Sequence, residues 1–484
     1  YADFIKGRLC RRPFFLYTAD MQTLKSMLDN IRNLSVTVMG LGLNGGGLAA
    51  SAFFAERGAK VTVTDLKSAE ELEPSVKKLS GFSNIRFVLG EHRIEDFKNA
   101  DLVIKNPGVK REGNIYLQNA RRIESDISVF LSLSKSPLLA VTGSKGKSST
   151  ASALHYGLKA LGYNAFLGGN ITVSPLTFLE QTGSTTPVVL ELSSWQLADL
   201  KNADFFKPHI AIITPIMSDH LNWYGTMEKY VADKKIIYKN MDKNCRLICS
   251  YGDRWGNEFA EESAARIYRY SEQALPEDID GAFFTDGVNG FCRVDGKCVH
   301  VLNEKSRVPG IKLKQNVLNA ALALMLYGAH AEKLSEVMNG YAGIEHRMEF
   351  FYESNGVEFY NDSAATIPEA AAAALCAFSA PPVLICGGTN KKLDFTPLAE
   401  QAHRAKSLYL LRGSGTDLLI DLLKERGIAY YGPFDGFDPL LAQLKSRLEK
   451  GDKVVLSPGA ASFELFTNEF YRGNQFKQKV REMM

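Results

Sequence analysis

The stretch Pro137-Leu-Leu-Ala-Val-Thr-Gly-Ser-Lys-Gly-Lys-Ser-Ser-Thr150 reads as a strand, a glycine turn and a helix in succession. Leu138 to Val141 is a short apolar run of the kind that forms a buried strand. Gly143 and Gly146 let the backbone turn tightly enough for several N–H groups to face one anion. Lys147 has the reach to meet the β- and γ-phosphates of a nucleotide, and the Ser148 hydroxyl suits Mg²⁺ ligation. A helix through Ala151 and Leu154 towards Leu161 would point its positive end at the same phosphates. The position of the usual first glycine is Val141 here, so T-G-S-K-G-K-S-S is a shortened phosphate loop. A plain Gly/Lys/Ser turn is the alternative, but strand, glycines, Lys-Ser and helix fall in the order the chemistry needs. The candidate phosphate contacts are Gly143, Ser144, Lys145, Gly146, Lys147, Ser148 and Ser149.

Towards the amino terminus, a β-run enters a second glycine turn, Val36-Thr-Val-Met-Gly40-Leu-Gly42-Leu-Asn-Gly45-Gly46-Gly47. A helix is expected from about Leu48 to Arg57, then a strand from Lys60 to Thr64 that ends at Asp65. Asp65 lies 25 positions after Gly40, near the offset at which an acidic residue grips a ribose. Taken alone, G-x-G-x-x-G fits NAD, another diphosphate, or a tight turn with no ligand. A third strand, Leu102 to Ile104, runs into Lys105-Asn-Pro-Gly108, a turn at the strand end where open α/β sheets bind ligands. Residues 34–135 read as a first α/β domain. Residues 1–33 read as an extension, with Met21, Leu24, Met27, Leu28 and Ile31 forming the stripe of an amphipathic helix from Asp20 to Ile31.

A chain of 484 residues is too long for one core, and two or three domains are expected. A net charge of +3 with no dense basic stripe gives no sign of a nucleic-acid partner. Seven scattered cysteines, an odd number without paired spacing, suggest reduced thiols and a cytoplasmic setting. Cys245 and Cys249 are read as strand residues rather than a metal knuckle. No apolar run approaches the ~20 residues of a membrane helix, and the run near Arg11 is too short for a signal peptide.

Residues 136–342 read as the second domain. Phe166-Leu-Gly-Gly-Asn170 is a strand entering a polar turn, and Val188-Val-Leu-Glu-Leu is an apolar strand carrying Glu191. A carboxylate in such a run is costly to bury unless it meets a cation, so metal duty is the leading reading and a satisfied structural Glu the other. His209 to Thr214 is another buried strand, followed by Ser218-Asp-His220, which suits a hydrated Mg²⁺ or a reacting phosphate. A helix is expected over Met227 to Asn240, with Asp233, Lys234 and Lys235 on a solvated face. Arg246 to Val301 reads as a peripheral β-rich segment. Gln315 to Leu326 reads as an apolar helix whose Asn316 and Asn319 sit near the first turn, as caps or as ligand contacts.

Residues 343–484 read as a third α/β domain. A hairpin pairs Glu349 to Tyr352 with Val357 to Ser363, and an Ala-rich helix follows from Pro368 to Ala377. Strands then recur at Pro382 to Cys386, Ser407 to Leu411 and Lys453 to Leu456, with a helix from Asp417 to Arg426.

In this order the motifs resemble the Mur ligase family, from about Leu34 to Phe476. The resemblance rests on T-G-S-K-G-K-S, G-G-N-I, L-E-L-S-S-W-Q-L, S-D-H-L-N, E-H-R-M, N-D-S-x-A-T and L-S-P-G-A-A-S-F followed by R-G-N-Q-F. The last block is similar to that of the D-glutamate-adding branch. The resemblance implies three α/β domains: an N-terminal Rossmann-like domain for UDP, a central P-loop ATPase-like domain, and a C-terminal Rossmann-like domain for the amino acid. It implies an ATP-dependent ligase of peptidoglycan precursor synthesis acting on UDP-N-acetylmuramoyl-L-alanine and D-glutamate, cytoplasmic and monomeric, with no nucleic-acid or membrane partner. It also implies two Mg²⁺ ions and a carbamylated Lys234, which replaces the solvated-face reading.

By the same resemblance, Lys147, Glu191, His220 and Lys234 carry the chemistry, with Ser148, Glu191, His220 and Lys234 on the metal side. Asn316, Asn319, Arg347 and Asp362 match nucleotide contacts. Leu43, Asn44, Asp65, Asn106 and Gly108 match the uridine-diphosphate pocket, and Asn170 matches a muramoyl contact. Thr366, Lys391, Ser462 and Phe463 match the D-glutamate site. The chain departs from the family at Lys145 (usually Asn), Ala364 (usually Lys) and Ile367 (usually Asn). Lys145 or Lys392 is the candidate replacement for the missing cation. Two other classes remain: an NAD-dependent oxidoreductase built on Gly40, Gly42, Gly45 and Asp65, and a non-catalytic nucleotide-binding scaffold.

Overall fold

A computed structural model describes residues 23–484 apart from Asn44 and Thr172. The described residues build three sheets in sequence order, each layered with helices. The first is parallel throughout, in the order β3-β2-β1-β4-β5: β1 (Ser35–Met39), β2 (Lys60–Asp65), β3 (Ile85–Leu89), β4 (Leu102–Lys105) and β5 (Ile123–Glu124). The direction of winding reverses between β1 and β4. Their carboxyl ends therefore leave a crevice, the place where a doubly wound sheet takes a ligand.

The central sheet has nine strands in the order β14-β13-β12-β11-β10-β9-β6-β8-β7. These are β6 (Leu138–Thr142), β7 (Phe166–Gly169), β8 (Val188–Glu191), β9 (Ile210–Ile213), β10 (Arg246–Ser250), β11 (Arg266–Ser271), β12 (Gly281–Phe284), β13 (Gly290–Val294) and β14 (Lys297–Leu302). The strands β6 to β12 pair with one another in parallel, and the antiparallel pairings are β12 with β13 and β13 with β14. β6, β8 and β9 are buried along their whole length, which is why they read as continuous apolar runs rather than alternating ones.

The third sheet runs β15-β16-β20-β17-β18-β19, with β15 (Glu349–Ser354), β16 (Val357–Asn361), β17 (Val383–Cys386), β18 (Ser407–Leu411), β19 (Tyr431–Phe434) and β20 (Lys453–Leu456). Only the β15–β16 hairpin is antiparallel. No described helix is long and apolar enough to cross a membrane.

Several expectations need correction. The segment Arg246 to Val301 is not peripheral: β10, β11 and β12 continue the parallel central sheet. Its glycines and short runs hid this, because a buried strand beside a glycine turn carries no alternation to read. The expected Met227–Asn240 helix is α-helical over Met227–Lys235 and tightens to 3₁₀ over Ile236–Tyr238. The apolar helix begins earlier, at Ile311, with Gly310 as its N-cap. Asn316 and Asn319 therefore lie inside it and are not caps. Of the expected Asp20–Ile31 helix, Leu24–Leu28 is α-helical and Ile31–Asn33 is a 3₁₀ turn, while Asp20 and Met21 lie outside the described residues.

Candidate active site

The phosphate loop follows β6, and its helix spans Lys147–Ala160. Gly146 caps that helix with φ +88°, and Gly143 has φ +143°, both in the region that favours glycine. Neighbours leave no room for a side chain. A Cβ on Gly143 would stand 2.0 Å from Thr214 Oγ1, and one on Gly146 would stand 2.5 Å from Asn316 Oδ1. Gly143→Ala is therefore expected to destabilise the protein by ~2–4 kcal/mol, read as a lower unfolding midpoint. An unchanged midpoint would show that the loop gives way.

Ser144 is buried inside the loop, where its hydroxyl lies 3.0 Å from Tyr230 OH and accepts from Met217 N at 3.0 Å. That side chain shapes the loop. Lys147 Nζ donates back to Ser144 O at 2.9 Å. Burial lowers its pKa, with Glu191 and Asp219 opposing. Lys145 is exposed, with Nζ 3.7 Å from Asp219 Oδ2. Ser148 and Ser149 are half-buried on the first turn of the helix.

β6 lies between β8 and β9, so the loops after all three strands converge. Glu191 ends β8 and is 1 % exposed. Its Oε1 accepts from Asn170 Nδ2 at 2.9 Å, while its Oε2 is buried without a hydrogen-bond partner among the described residues. Such an oxygen is costly in a fold unless a cation meets it. Lys234, on the helix Met227–Lys235, is 1 % exposed and donates from Nζ to Gly143 O at 2.7 Å. Burial, then repulsion from Lys147, pulls its pKa down to about 7. The solvated-face reading is thus wrong for this residue, because the helix turns Lys234 inward against the phosphate loop. His220 follows β9 in a left-handed conformation, φ 52°, which is uncommon outside glycine and marks a constrained position. Its ring packs on Trp195 (5.0 Å between centroids) and Tyr230 (6.1 Å).

The helix Ile311–Tyr327 packs along the phosphate-loop helix. It brings Asn316 against Gly146 and buries Asn319, whose Nδ2 has no hydrogen-bond partner among the described residues. Arg347 is exposed and lines a small cavity with Ser149, Val317 and Tyr341. Asp362 accepts from Met348 N at 3.1 Å and from the Ser457 hydroxyl at 2.7 Å. Burial raises its pKa to about 7, against an ordinary value of 3.8. Between those values the folded chain holds a proton that the unfolded chain lacks, so stability falls as pH rises through that window. Asp362→Asn cannot lose that proton. Its stability relative to wild type is expected to rise by on the order of 1–3 kcal/mol between pH ~4 and ~8, in unfolding midpoints. A constant difference would contradict the shift.

In the first sheet, Asn106 follows β4 and sits against Gly40, where a Cβ would come 2.9 Å from Asn106 Cβ. Asn106 Oδ1 accepts from Gly108 N at 3.1 Å. Asp65, ending β2, accepts from Gly42 N at 3.1 Å and Lys67 N at 3.0 Å, so it shapes the glycine turn. Leu43 is exposed, and Asn44 lies outside the described residues. Leu43, Asp65, Asn106 and Gly108 thus gather on the crevice around the β1–β4 reversal.

The third sheet repeats this logic. The loops after β16, β20 and β17 carry Thr366, Ser462–Phe463 and Lys391, and those three strands are neighbours. Gly459 N donates to Ala365 O at 2.9 Å, and Thr389 bridges Ala461. Lys391 Nζ lies 4.7 Å from the centre of the exposed Phe463 ring. Ser462 is buried beside it.

Three family models match the chain in the order of its sheets. They are the Mur ligase MurD-like N-terminal domain over residues 34–128, the Mur ligase middle domain over 141–327, and the Mur ligase glutamate ligase domain over 346–460. A curated UDP-N-acetylmuramoylalanine–D-glutamate ligase of Treponema pallidum is 46% identical, covering 93% of this chain and 98% of that protein. The protein of the same name from Borreliella burgdorferi strain ZS7 is 40% identical, over 94% of this chain and 100% of its own. The chain belongs to the Mur ligase family.

Solved Mur ligases share its fold at low identity. UDP-N-acetylmuramate–alanine ligase MurC of Thermotoga maritima superposes with a TM-score of 0.55 at 17% identity, covering 93% of this chain and 100% of that one. MurF from the same organism gives 0.52 at 16%, covering 96% and 100%.

The donor set of this Mur ligase fits Mg²⁺ beside a bound nucleotide. Among the described residues no group of three or more His, Cys, Asp or Glu is placed to hold a metal. Mg²⁺ needs no such cage, because it binds through one or two carboxylates plus phosphate oxygens and water. Glu191 Oε2, without a hydrogen-bond partner among the described residues, would supply the carboxylate, and Ser148 stands on the first turn of the phosphate-loop helix. Sequence reasoning missed Lys105, Asp199 and Arg472. Arg472 is 1 % exposed, and its guanidinium donates to Ser363 Oγ, Ser363 O and Ala460 O, tying together the loops after β16 and β20. Only the fold reveals that tie, since those partners lie far apart in sequence.

Proposed function

We propose that the chain joins D-glutamate to UDP-N-acetylmuramoyl-L-alanine at the cost of ATP, in peptidoglycan precursor synthesis. The observation that carries this reading is identity of 40–46% over nearly the full length of ligases bearing that name. The convergence of the β6, β8 and β9 loops supports it. In this reading ATP phosphorylates the substrate carboxylate, giving an acyl phosphate and ADP. The D-glutamate amine attacks the acyl carbon, and the tetrahedral adduct expels phosphate to leave an amide. The N-terminal domain (34–135) takes UDP through Leu43, Asn44, Asp65, Asn106 and Gly108. The central domain (136–342) takes ATP. The C-terminal domain (343–484) presents D-glutamate to Thr366, Lys391, Ser462 and Phe463.

Lys147 neutralises the phosphates from the loop, whose backbone N–H groups face the same charge. Asn316 and Asn319 hold the nucleotide from the facing helix, and Arg347 and Asp362 meet it from the third sheet. Asn170 steers the muramoyl end and fixes Glu191. Ser148, Glu191, His220 and a carbamylated Lys234 would hold two Mg²⁺ ions, which would supply charge neutralisation and alignment. A Lys234 amine with pKa near 7 supports carbamylation, because only the neutral amine adds CO₂. A cytoplasmic setting suits ATP and a nucleotide sugar, and the six described cysteines are free thiols.

Phosphate release with ATP, Mg²⁺ and UDP-N-acetylmuramoyl-L-alanine tests the reading. Release is expected to require D-glutamate, with L-glutamate inactive. Release with another amino acid in place of D-glutamate would change the substrate. ATP binding without release would leave a scaffold.

A further inference from the structure

The turn after β4 is held by a carboxylate from the central part of the chain. Lys105, the last residue of β4, is 2 % exposed. Its Nζ donates to the carbonyls of Asn106 at 3.1 Å, Pro107 at 3.4 Å and Val109 at 2.9 Å. The same ammonium pairs with Asp199 Oδ2 at 2.9 Å. Asp199 Oδ1 accepts from Arg111 Nε at 3.1 Å. One carboxylate, 4 % exposed, thus grips the turn at both ends.

Asp199 belongs to the central part of the chain. It ends the short helix Ser194–Asp199, which starts three residues after Glu191. A carboxylate at a helix C-terminus is opposed by the helix dipole, so its place there needs the two cations. The neighbouring contacts run the same way. Lys110 Nζ lies 5.5 Å from the Trp223 ring centre, Trp223 packs on Trp195, and Trp195 packs on His220. The turn carrying Asn106 and Gly108 is therefore bonded to the two segments that carry Glu191 and His220.

We propose that Lys105, Asp199 and Arg111 form a clasp of positioning residues that sets the diphosphate-binding turn at a fixed distance from the Glu191 and His220 loops. This rests on the ligase reading above. A nucleotide sugar anchored at Asn106 and Gly108 must deliver its far carboxylate to the phosphate loop. Misplacing the anchor misplaces the reacting carboxylate, while ATP has its own contacts and is untouched.

The test compares Asp199→Asn and the paired apolar variant Lys105→Met/Asp199→Leu with wild type. The paired variant removes both charges at similar volume, so it is expected to fold where a single change strands a buried ion. In both variants KM for UDP-N-acetylmuramoyl-L-alanine is expected to rise about 10-fold or more, with KM for ATP within about 2-fold. An unchanged KM for the nucleotide sugar in a folded variant would overturn the clasp. Equal rises in both KM values would do so too, since general loosening predicts them. Should wild type give no turnover, the ligase reading falls, and calorimetry with UDP alone judges the clasp. Weaker UDP binding in the paired variant supports it. Equal binding, or none by wild type, overturns it.

Discussion

Lys147→Ala is expected to lower D-glutamate-dependent phosphate release by on the order of 10³-fold in a chain that still folds. The negative charge that spreads over a transferring phosphoryl group needs a cation held beside it. Lys147 stands at the first position of the phosphate-loop helix, partly desolvated, and among the described residues its one hydrogen bond is to a carbonyl of its own loop. It is thus held ready without a carboxylate partner to give up. Its removal leaves the loop shape intact, because that shape depends on Gly143, Gly146 and the buried Ser144 hydroxyl. The check is the rate at saturating ATP beside the unfolding midpoint. A loss below about 10-fold would mean that the phosphates are held elsewhere.

Lys234→Met is expected to cost ~10–100-fold in activity, and the wild-type rate is expected to fall as pH drops below about 7. The sign follows from the shift. Burial and Lys147 lower the pKa of the amine, while Asp219, Asp233 and Glu191 partly restore it. Above about 7 the amine is mostly neutral and adds CO₂. Below it the amine is mostly protonated and does not. Removing bicarbonate from the buffer should mimic the acid limb, and isotope-labelled bicarbonate should label wild type but not Lys234→Met. An acid limb that persists unchanged in Lys234→Met would assign it to another group. Stability runs the same way, since the unfolded chain binds a proton at Lys234 that the folded chain resists, so this group's penalty eases as pH rises above 7.

How far the sequence could be read depended on how local each signal was. The phosphate loop was legible because strand, turn and helix lie within one short stretch and each residue type has its own mechanical reason. Glu191 was legible because a carboxylate in an apolar run asks for a partner. β10 to β12 were not, since placing them in the central sheet depends on neighbours far along the chain. Lys234 shows the limit most clearly. Helical spacing set it beside other charges, and only the packing of its helix on the phosphate loop turned it inward. Lys105, Asp199 and Arg111 look like ordinary surface charges in sequence, yet they meet at one buried carboxylate. The family resemblance supplied roles that spacing did not, including that of Lys234.

The central claim is that the substrate carboxylate is phosphorylated before the amine attacks. The most direct measurement places heavy oxygen in the carboxylate of UDP-N-acetylmuramoyl-L-alanine and weighs the released phosphate by mass spectrometry. Passage through an acyl phosphate moves one carboxylate oxygen into each phosphate released with D-glutamate. Phosphate free of the label, released at the same rate, would contradict the account.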